Sequence, residues 1–551
     1  PQVREVDGLD RGGPVAQQPR RPEIVREVLA ERLELRREAA VDRERAGGQE
    51  IAERGRHPVK PRLTGVSRSN GTGAPSIAII GAGFSGIGMA IRLQDAGIRD
   101  FTIYEAADEV GGTWYWNTYP GAACDIGSHL YSFSFKRNHE WTKTYAGDEE
   151  IRGYLQACMR EEGLYAKTRL STRIASAVYD DGTWTLTTEA GEEIRHDVVI
   201  FGCGQLNEPQ RPDIPGLDDF AGELFHSARW NHDYDLRGKR VAVIGNGASA
   251  AQFVPEVAKE AGFLAVFQRT PSWIVPRRDF PYSERRKRLF RHVPGAESLH
   301  RLGIFWFNEK GFLAFRPGQK WWGLIQGSDR ARDWEQVALR HLEKQVPDPA
   351  LRAKLTPDYG IGCKRVLLSN DWYPALQRDN VELVTDRIMR ITADSIETEQ
   401  GTIGPLDAII LGTGFDSTKF MATLEITGAD GRCLADVWRE GPQAHLGITV
   451  AGFPNLFMLY GPNTNLGHGT IIFMIECQIR YIRKCIQRMR RDHLRVLEVT
   501  PEAQARFNDE LQRDLARSVW ASGCRSWYVT ADGSVRNNWS GFMLEIGRAH
   551  V

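Results

Sequence analysis

Paired cysteines are what this chain most plainly lacks. Its eight, at 124, 158, 203, 363, 433, 477, 485 and 524, include no Cys-x-x-Cys. Zinc clips and dithiol redox centres rely on that spacing, so neither is expected. Sparse cysteines predict reduced, small apolar side chains in a cytoplasm. Charge of one sign is also missing, with 71 Lys+Arg against 71 Asp+Glu. That balance argues against a dedicated binder of nucleic acid or anionic membrane, which needs an excess of Lys and Arg. No apolar run approaches the roughly 18–20 residues that cross a bilayer. No apolar stretch follows Pro1-Gln2-Val3-Arg4 either, so no secretory signal is expected. The 551 residues, 41 % hydrophobic and 26 % charged, are of globular composition. That length predicts about three or four domains. What stands out is 55 glycines and 15 tryptophans.

Residues 1–74 are dense in Arg and Glu. Val25, Val28, Leu29 and Leu33 recur at helical spacing until Gly47-Gly48, which predicts an N-terminal helical arm. A charged, solvated arm is the competing reading. The pattern then changes. Ser76–Ile80 is a short apolar run, followed by Gly81-Ala-Gly83-Phe84-Ser85-Gly86, a helical stretch, the strand Phe101–Tyr104, and Glu105. The three glycines allow a tight turn, close approach to a pyrophosphate and close helix–strand packing. Glu105 lies 105 − 81 = 24 positions on, where a carboxylate can accept from a ribose diol.

The unit recurs at 245 − 81 = 164 residues: Arg240–Ile244, then Gly245-Asn-Gly247-Ala248-Ser249-Ala250, a helix, and Phe263–Phe267. Two such units call for two dinucleotides. At the position matching Glu105 stands Arg269, followed by Thr270. Arg and a hydroxyl suit a 2′-phosphate, so the first turn suits FAD and the second NADPH. Asp197–Gly204 and Asp407–Gly414 are apolar strands ending in Gly-x-Gly, and both are assigned to the first fold. The fold class is therefore α/β: two Rossmann-like domains, the FAD domain discontinuous and the NADPH domain inserted, with a mostly helical insertion. The expected boundaries are 75–205 and 391–551 for FAD, 206–270 and 360–390 for NADPH, and 271–359 for the insertion, whose tryptophans could wall a pocket.

Phe220-Ala-Gly222-Glu-Leu-Phe-His226-Ser-Ala-Arg-Trp230, flanked by the two Gly-rich units, resembles the fingerprint of type I Baeyer–Villiger monooxygenases. The resemblance covers about residues 75–540. Gly111–Gly121, with Gly112, Thr113, Trp114 and nearby Tyr131, resembles the flavin-contacting loop, and Cys124-Asp125 follows as expected. Gly362-Cys-Lys364-Arg365 matches the segment with the family's active-site arginine. Cys524-Arg-Ser-Trp527 matches a C-terminal segment whose Trp folds over the nicotinamide. Ala123 stands where an Arg is common, and Ala250 where Gly is common.

The resemblance implies that NADPH and O₂ insert one oxygen beside a ketone carbonyl through a C4a-peroxyflavin, giving an ester or lactone. Arg365 would be catalytic, as a guanidinium charged at any working pH, and Asp125 would orient it, with a plain turn residue as the alternative. Gln252 is grouped with the cofactor residues of the second turn. Lys364 points to the 2′-phosphate or to solvent; Trp527 holds the nicotinamide or simply packs. Phe220, Gly222, His226 and Trp230 couple domain motions, His226 by hinge packing or backbone hydrogen bonding in an interdomain linker rather than by proton transfer. A small-molecule ketone is the expected partner, bulky or cyclic by analogy, with no nucleic acid, no integral membrane segment and possible self-association through the arm. An N- or S-oxygenating flavin monooxygenase and a non-catalytic redox flavoprotein are the alternatives.

Overall fold

The computed structural model describes residues 74–549, apart from 319, 322–324, 417–419, 422, 524–525, 527 and 531–532. The expected N-terminal arm lies outside the described residues, and so does Trp527. Strands β1 (Ile77–Ile80), β2 (Phe101–Tyr104), β3 (Thr168–Arg169) and β4 (Val198–Phe201) are parallel members of one sheet. Every residue of β1 is buried, because successive side chains enter two different cores. Ile77 and Ile79 pack with helix α1 (Phe84–Asp95). Ala78 and Ile80 face Trp184 and Leu186, which belong to a mixed layer in which 174–180, 183–188 and 193–196 pair antiparallel and 425–427 joins 174–180 in parallel. Burying each large aliphatic side chain this way is worth about 1.5–3 kcal/mol.

The second sheet comprises β5 (Glu223–His226), β6 (Arg240–Ile244), β7 (Phe263–Phe267), β8 (Val381–Val384) and β9 (Ala408–Leu411), all parallel, in the order β8-β7-β6-β9-β5. Helix α2 (Ala248–Glu260) follows β6 and covers one face through Val254 and Val257. The 271–359 segment is mainly helical as expected, with α3 (Glu284–His292), α4 (Ala296–Gly311) and α5 (Gly327–Gln345). Strand β10 (Leu456–Met458) then returns to the first sheet beside β4, and α6 (Ile471–Asp492) packs on α1. The first domain is therefore discontinuous, as the sequence predicts.

The strand that makes it so is different. Ala408–Leu411, expected in the FAD sheet, pairs with β6 and β5 of the second sheet. The second domain thus runs past 390 to at least Leu411, and β10 is what closes the first. Both sheets need a glycine-ended strand beside their phosphate turn, so Gly412-Thr-Gly414 could not reveal which sheet it served.

Candidate functional site

At the end of β1 the chain turns so sharply that only glycine fits. Gly81 has φ +101°, and a Cβ there would meet the Gly202 carbonyl oxygen at 2.9 Å. A Cβ on Gly86 would lie 1.9 Å from the Gly81 oxygen, so the third glycine lets α1 approach the strand. A Cβ on Gly83 would lie 3.4 Å from Gly112 Cα, and no side chain caps the first N–H groups of α1. A pyrophosphate fits this cradle, since those amides and the helix dipole both favour an anion. Glu105 is buried beside the turn. It accepts from the backbone N–H of Ala82 at 2.6 Å and of Ala107 at 3.0 Å. Burial raises its pKa, against those amides. Each oxygen keeps a lone pair for a ribose hydroxyl. Thr113 and Trp114 lie in a short helix, 113–116, where Trp114 Nε1 donates to Tyr131 Oη at 3.3 Å. Tyr131 in turn stands edge-on to Phe84, ring centroids 5.2 Å apart. Ser85 is buried behind them. Gly81–Gly86, Glu105, Gly112–Trp114 and Tyr131, expected at the flavin, thus gather around one turn.

Asp125 and Arg365, 240 positions apart, meet directly: an Arg365 terminal nitrogen donates to Asp125 Oδ2 at 2.9 Å. Arg365 keeps 39 % of its side-chain surface accessible, so it borders open space rather than a closed core. Burial works to lower its pKa, but the charge of Asp125, with Tyr528 and Cys124 nearby, raises it overall. The guanidinium is therefore held cationic. Burial raises the pKa of Cys124 to about 12, making it a neutral neighbour.

The second turn repeats the first. Gly245 has φ +115° and a Cβ would lie 2.4 Å from the Gly412 oxygen. Ala250 replaces the third glycine, and its Cβ is 3.4 Å from where a Gly412 side chain would begin, so glycine on the neighbouring strand makes the room. Gly247 leaves the α2 N-terminus without a side-chain cap, with Ala248 and Ser249 in its first turn. Arg269 is exposed and Thr270 half-buried just beyond β7. The Lys364 ammonium sits 4.7 Å from the centre of the Tyr359 ring. Its pKa is lowered, chiefly by burial and then by the Arg269 charge. Neither cation has an ion-pair partner among the described residues. Asp358 favours the Lys364 charge but forms no ion pair with it, and two cations so placed fit a phosphate.

Residues 78–286 match the family model described as pyridine nucleotide-disulphide oxidoreductase. A Pseudomonas aeruginosa protein named Baeyer–Villiger monooxygenase is 46 % identical over 470 residues, covering 85 % of this chain and 88 % of its own. A Streptomyces coelicolor protein of the same name is 43 % identical over 485 residues, covering 86 % and 90 %. The chain belongs to the Baeyer–Villiger monooxygenase family. It is an FAD- and NADPH-dependent monooxygenase. A crystal structure of OTEMO in complex with FAD and NADP matches it with a TM-score of 0.77 at 28 % identity, covering 87 % of this chain and 97 % of that one. An oxidized steroid monooxygenase bound to NADP matches at 0.75 and 30 %, with the same coverage.

In this monooxygenase the fingerprint is not a free linker. Glu223–His226 is an edge strand of the second sheet, and Phe220 packs beneath it. A Cβ on Gly222 would reach 2.6 Å from the Asp407 oxygen. His226 Nδ1 accepts from the Ala228 N–H at 3.0 Å, and burial lowers its pKa to about 4, so it is a neutral backbone cap. Trp230 packs on Phe225 and Phe253. Arg229, inside the fingerprint but not singled out by it, stacks 4.1 Å over Trp116 of the flavin loop.

Gln252, expected with the cofactor residues, makes its hydrogen bonds to protein. Its Nε2 donates to the Ala123 oxygen at 2.9 Å, and its Oε1 accepts from Tyr119 Oη at 2.9 Å. The side chain thus ties α2 to the loop carrying Asp125. The expectation of uniformly reduced thiols fails. Cys363, directly before Lys364, is disulfide-bonded, while Cys124, Cys158, Cys203, Cys433, Cys477 and Cys485 are free. Two tyrosines near Arg365 were not singled out in the sequence: half-buried Tyr460, in a 457–463 stretch that resembles a second flavin-binding segment and whose hydroxyl donates to Asn465 Oδ1 at 2.8 Å, and buried Tyr528. Tyr528 adjoins the quoted Trp527 segment, which was the signal available.

Proposed function

We propose that this monooxygenase inserts oxygen beside the carbonyl of a bulky or cyclic ketone, with Arg365 as the catalytic donor and Asp125 as the residue that positions it. The flavin, when bound, would carry two electrons from NADPH to O₂, so that one oxygen atom of O₂ enters the product and the other leaves as water. The protein's part is electrostatic. Arg365 brings a permanent positive charge and N–H groups not used by Asp125, aimed at negative charge that develops on oxygen as the carbonyl is attacked. Asp125 fixes the guanidinium plane, which long arginine side chains do not hold unaided. Arg269, Thr270 and Lys364 bind the 2′-phosphate of NADPH. Gln252, Tyr119 and the Arg229–Trp116 stack keep the two domains in register around the site.

The observation that carries this reading is the 2.9 Å Arg365–Asp125 pair, which joins segments 240 positions apart and leaves the cation accessible. The steroid monooxygenase among the structural neighbours supports a ring ketone. NADPH dependence supports a cytoplasmic site of action. The test is a panel of cyclic and linear ketones of increasing size with FAD-loaded protein, NADPH and O₂, products read by mass spectrometry. A lactone or ester heavier than its ketone by one oxygen is expected, with larger rings favoured. Oxygenation of amines or thioethers with no ketone turned over would overturn the reading.

A further inference from the structure

Apolar side chains on the helical insertion point the wrong way. Helix α4 presents Leu299, 71 % exposed, Phe307, 66 % exposed, and Leu302 to solvent. Positions 299, 302 and 307 fall on one side of a helix with a 3.6-residue turn. Leu289 and Val293, on and just after α3, are exposed four residues apart, and Phe280 precedes them at 62 %. Six of the exposed large hydrophobic side chains thus lie within 28 residues, from 280 to 307. Scattered single residues need no explanation, whereas exposed apolar residues concentrated on one helix face and the helix before it mark an interaction surface.

The opposite face of α4 is fixed to the body, so the helix cannot roll to hide these residues. Glu297 is buried against His129 Nδ1 and His139 Nδ1, both at 3.2 Å. Arg301 donates to Ser132 Oγ at 2.9 Å and to the His129 carbonyl. Ile304 packs over Gly127, whose missing Cβ would come 3.1 Å from it. The apolar face is therefore held outward by polar anchors on the inner one.

Charge indicates what covers it. The nine residues of α3, ERRKRLFRH, carry Arg285, Arg286, Lys287, Arg288 and Arg291 against a single Glu284. Arg291 pairs with Glu140 and Lys287 with Glu284. Arg285 and Arg288 are exposed and have no ion-pair partner among the described residues. A net charge of zero over the whole chain conceals this local excess. Exposed Leu, Val and Phe beside unpaired Arg are the features of a surface that lies in a bilayer interface, the apolar side chains entering the acyl boundary and the cations meeting anionic headgroups. No helix among the described residues is long and apolar enough to cross a membrane, so the contact is peripheral. We propose that the α3–α4 hairpin docks this monooxygenase on an anionic lipid surface.

The test uses full-length, FAD-loaded protein sedimented with phosphatidylcholine vesicles, with and without phosphatidylglycerol, at low and high salt. Binding is expected only with phosphatidylglycerol, weakening as salt screens the cations. Arg285→Gln/Arg288→Gln should weaken it about fivefold per cation removed. Leu299→Glu/Phe307→Glu should abolish it. All six positions and both arginines are on the surface, so flavin content and NADPH oxidation without vesicles should stay unchanged. Absence of wild-type binding, or binding that neither double variant alters, overturns the proposal. So does a wild-type dimer in sedimentation equilibrium that Leu299→Glu/Phe307→Glu converts to monomer, because a second copy would then be the occupant.

Discussion

Arg269 and Lys364 stand within electrostatic reach of each other at the edge of the second turn, and Asp358 offsets only part of what burial and that repulsion cost Lys364. Such an arrangement costs stability unless an anion is bound, and it discriminates between cofactors that differ by one phosphate. Arg269→Ala should raise the KM for NADPH about tenfold or more, the equivalent of one charge-assisted contact, and leave that for NADH nearly unchanged. Steady-state kinetics with both cofactors checks this, and an unchanged NADPH-to-NADH ratio would remove Arg269 from the site. Residue identity made this legible, because position 269 aligns with Glu105 through the repeat. The bridge that Gln252 makes was illegible for the opposite reason. The residue's place near the second turn says where its Cα lies, but not that its amide reaches across to Ala123 and Tyr119.

Among elements, the two strand–turn–helix units are where sequence and structure agree most closely, since backbone sterics leave few residue choices. Gly86→Ala should show how strict the first is: the added methyl would sit 1.9 Å from the Gly81 oxygen, so α1 must shift off the strand. Purified Gly86→Ala protein should carry much less flavin, read as lost visible absorbance, and should melt below wild type. Full flavin content would show that the turn adapts. Strand β9 was less legible, because Gly202 and Gly412 do the same steric job in different sheets and differ only in tertiary partners. The hairpin α3–α4 was least legible: its apolar residues follow a helical period but face outward, and period alone does not fix which side is buried.

At the scale of the whole molecule, the proposed active site is assembled from both domains. Asp125 comes from the flavin domain and Arg365 follows the helical insertion, on the stretch leading to β8 of the NADPH sheet. The insertion, the fingerprint strand, Gln252 and the Arg229–Trp116 stack all bear on that junction. Its existence was readable from the resemblance, whereas its geometry, and the disulfide at Cys363, depended on tertiary proximity that spacing does not encode. The most direct measurement is the ratio of ketone oxygenated to NADPH consumed, wild type against Arg365→Ala, with flavin content and NADPH affinity matched. The wild type should form close to one product per NADPH. The variant should still oxidise NADPH, diverting O₂ to hydrogen peroxide, while product formation falls by about 10²–10³-fold. A variant that couples NADPH to product as well as the wild type would contradict the role assigned to Arg365.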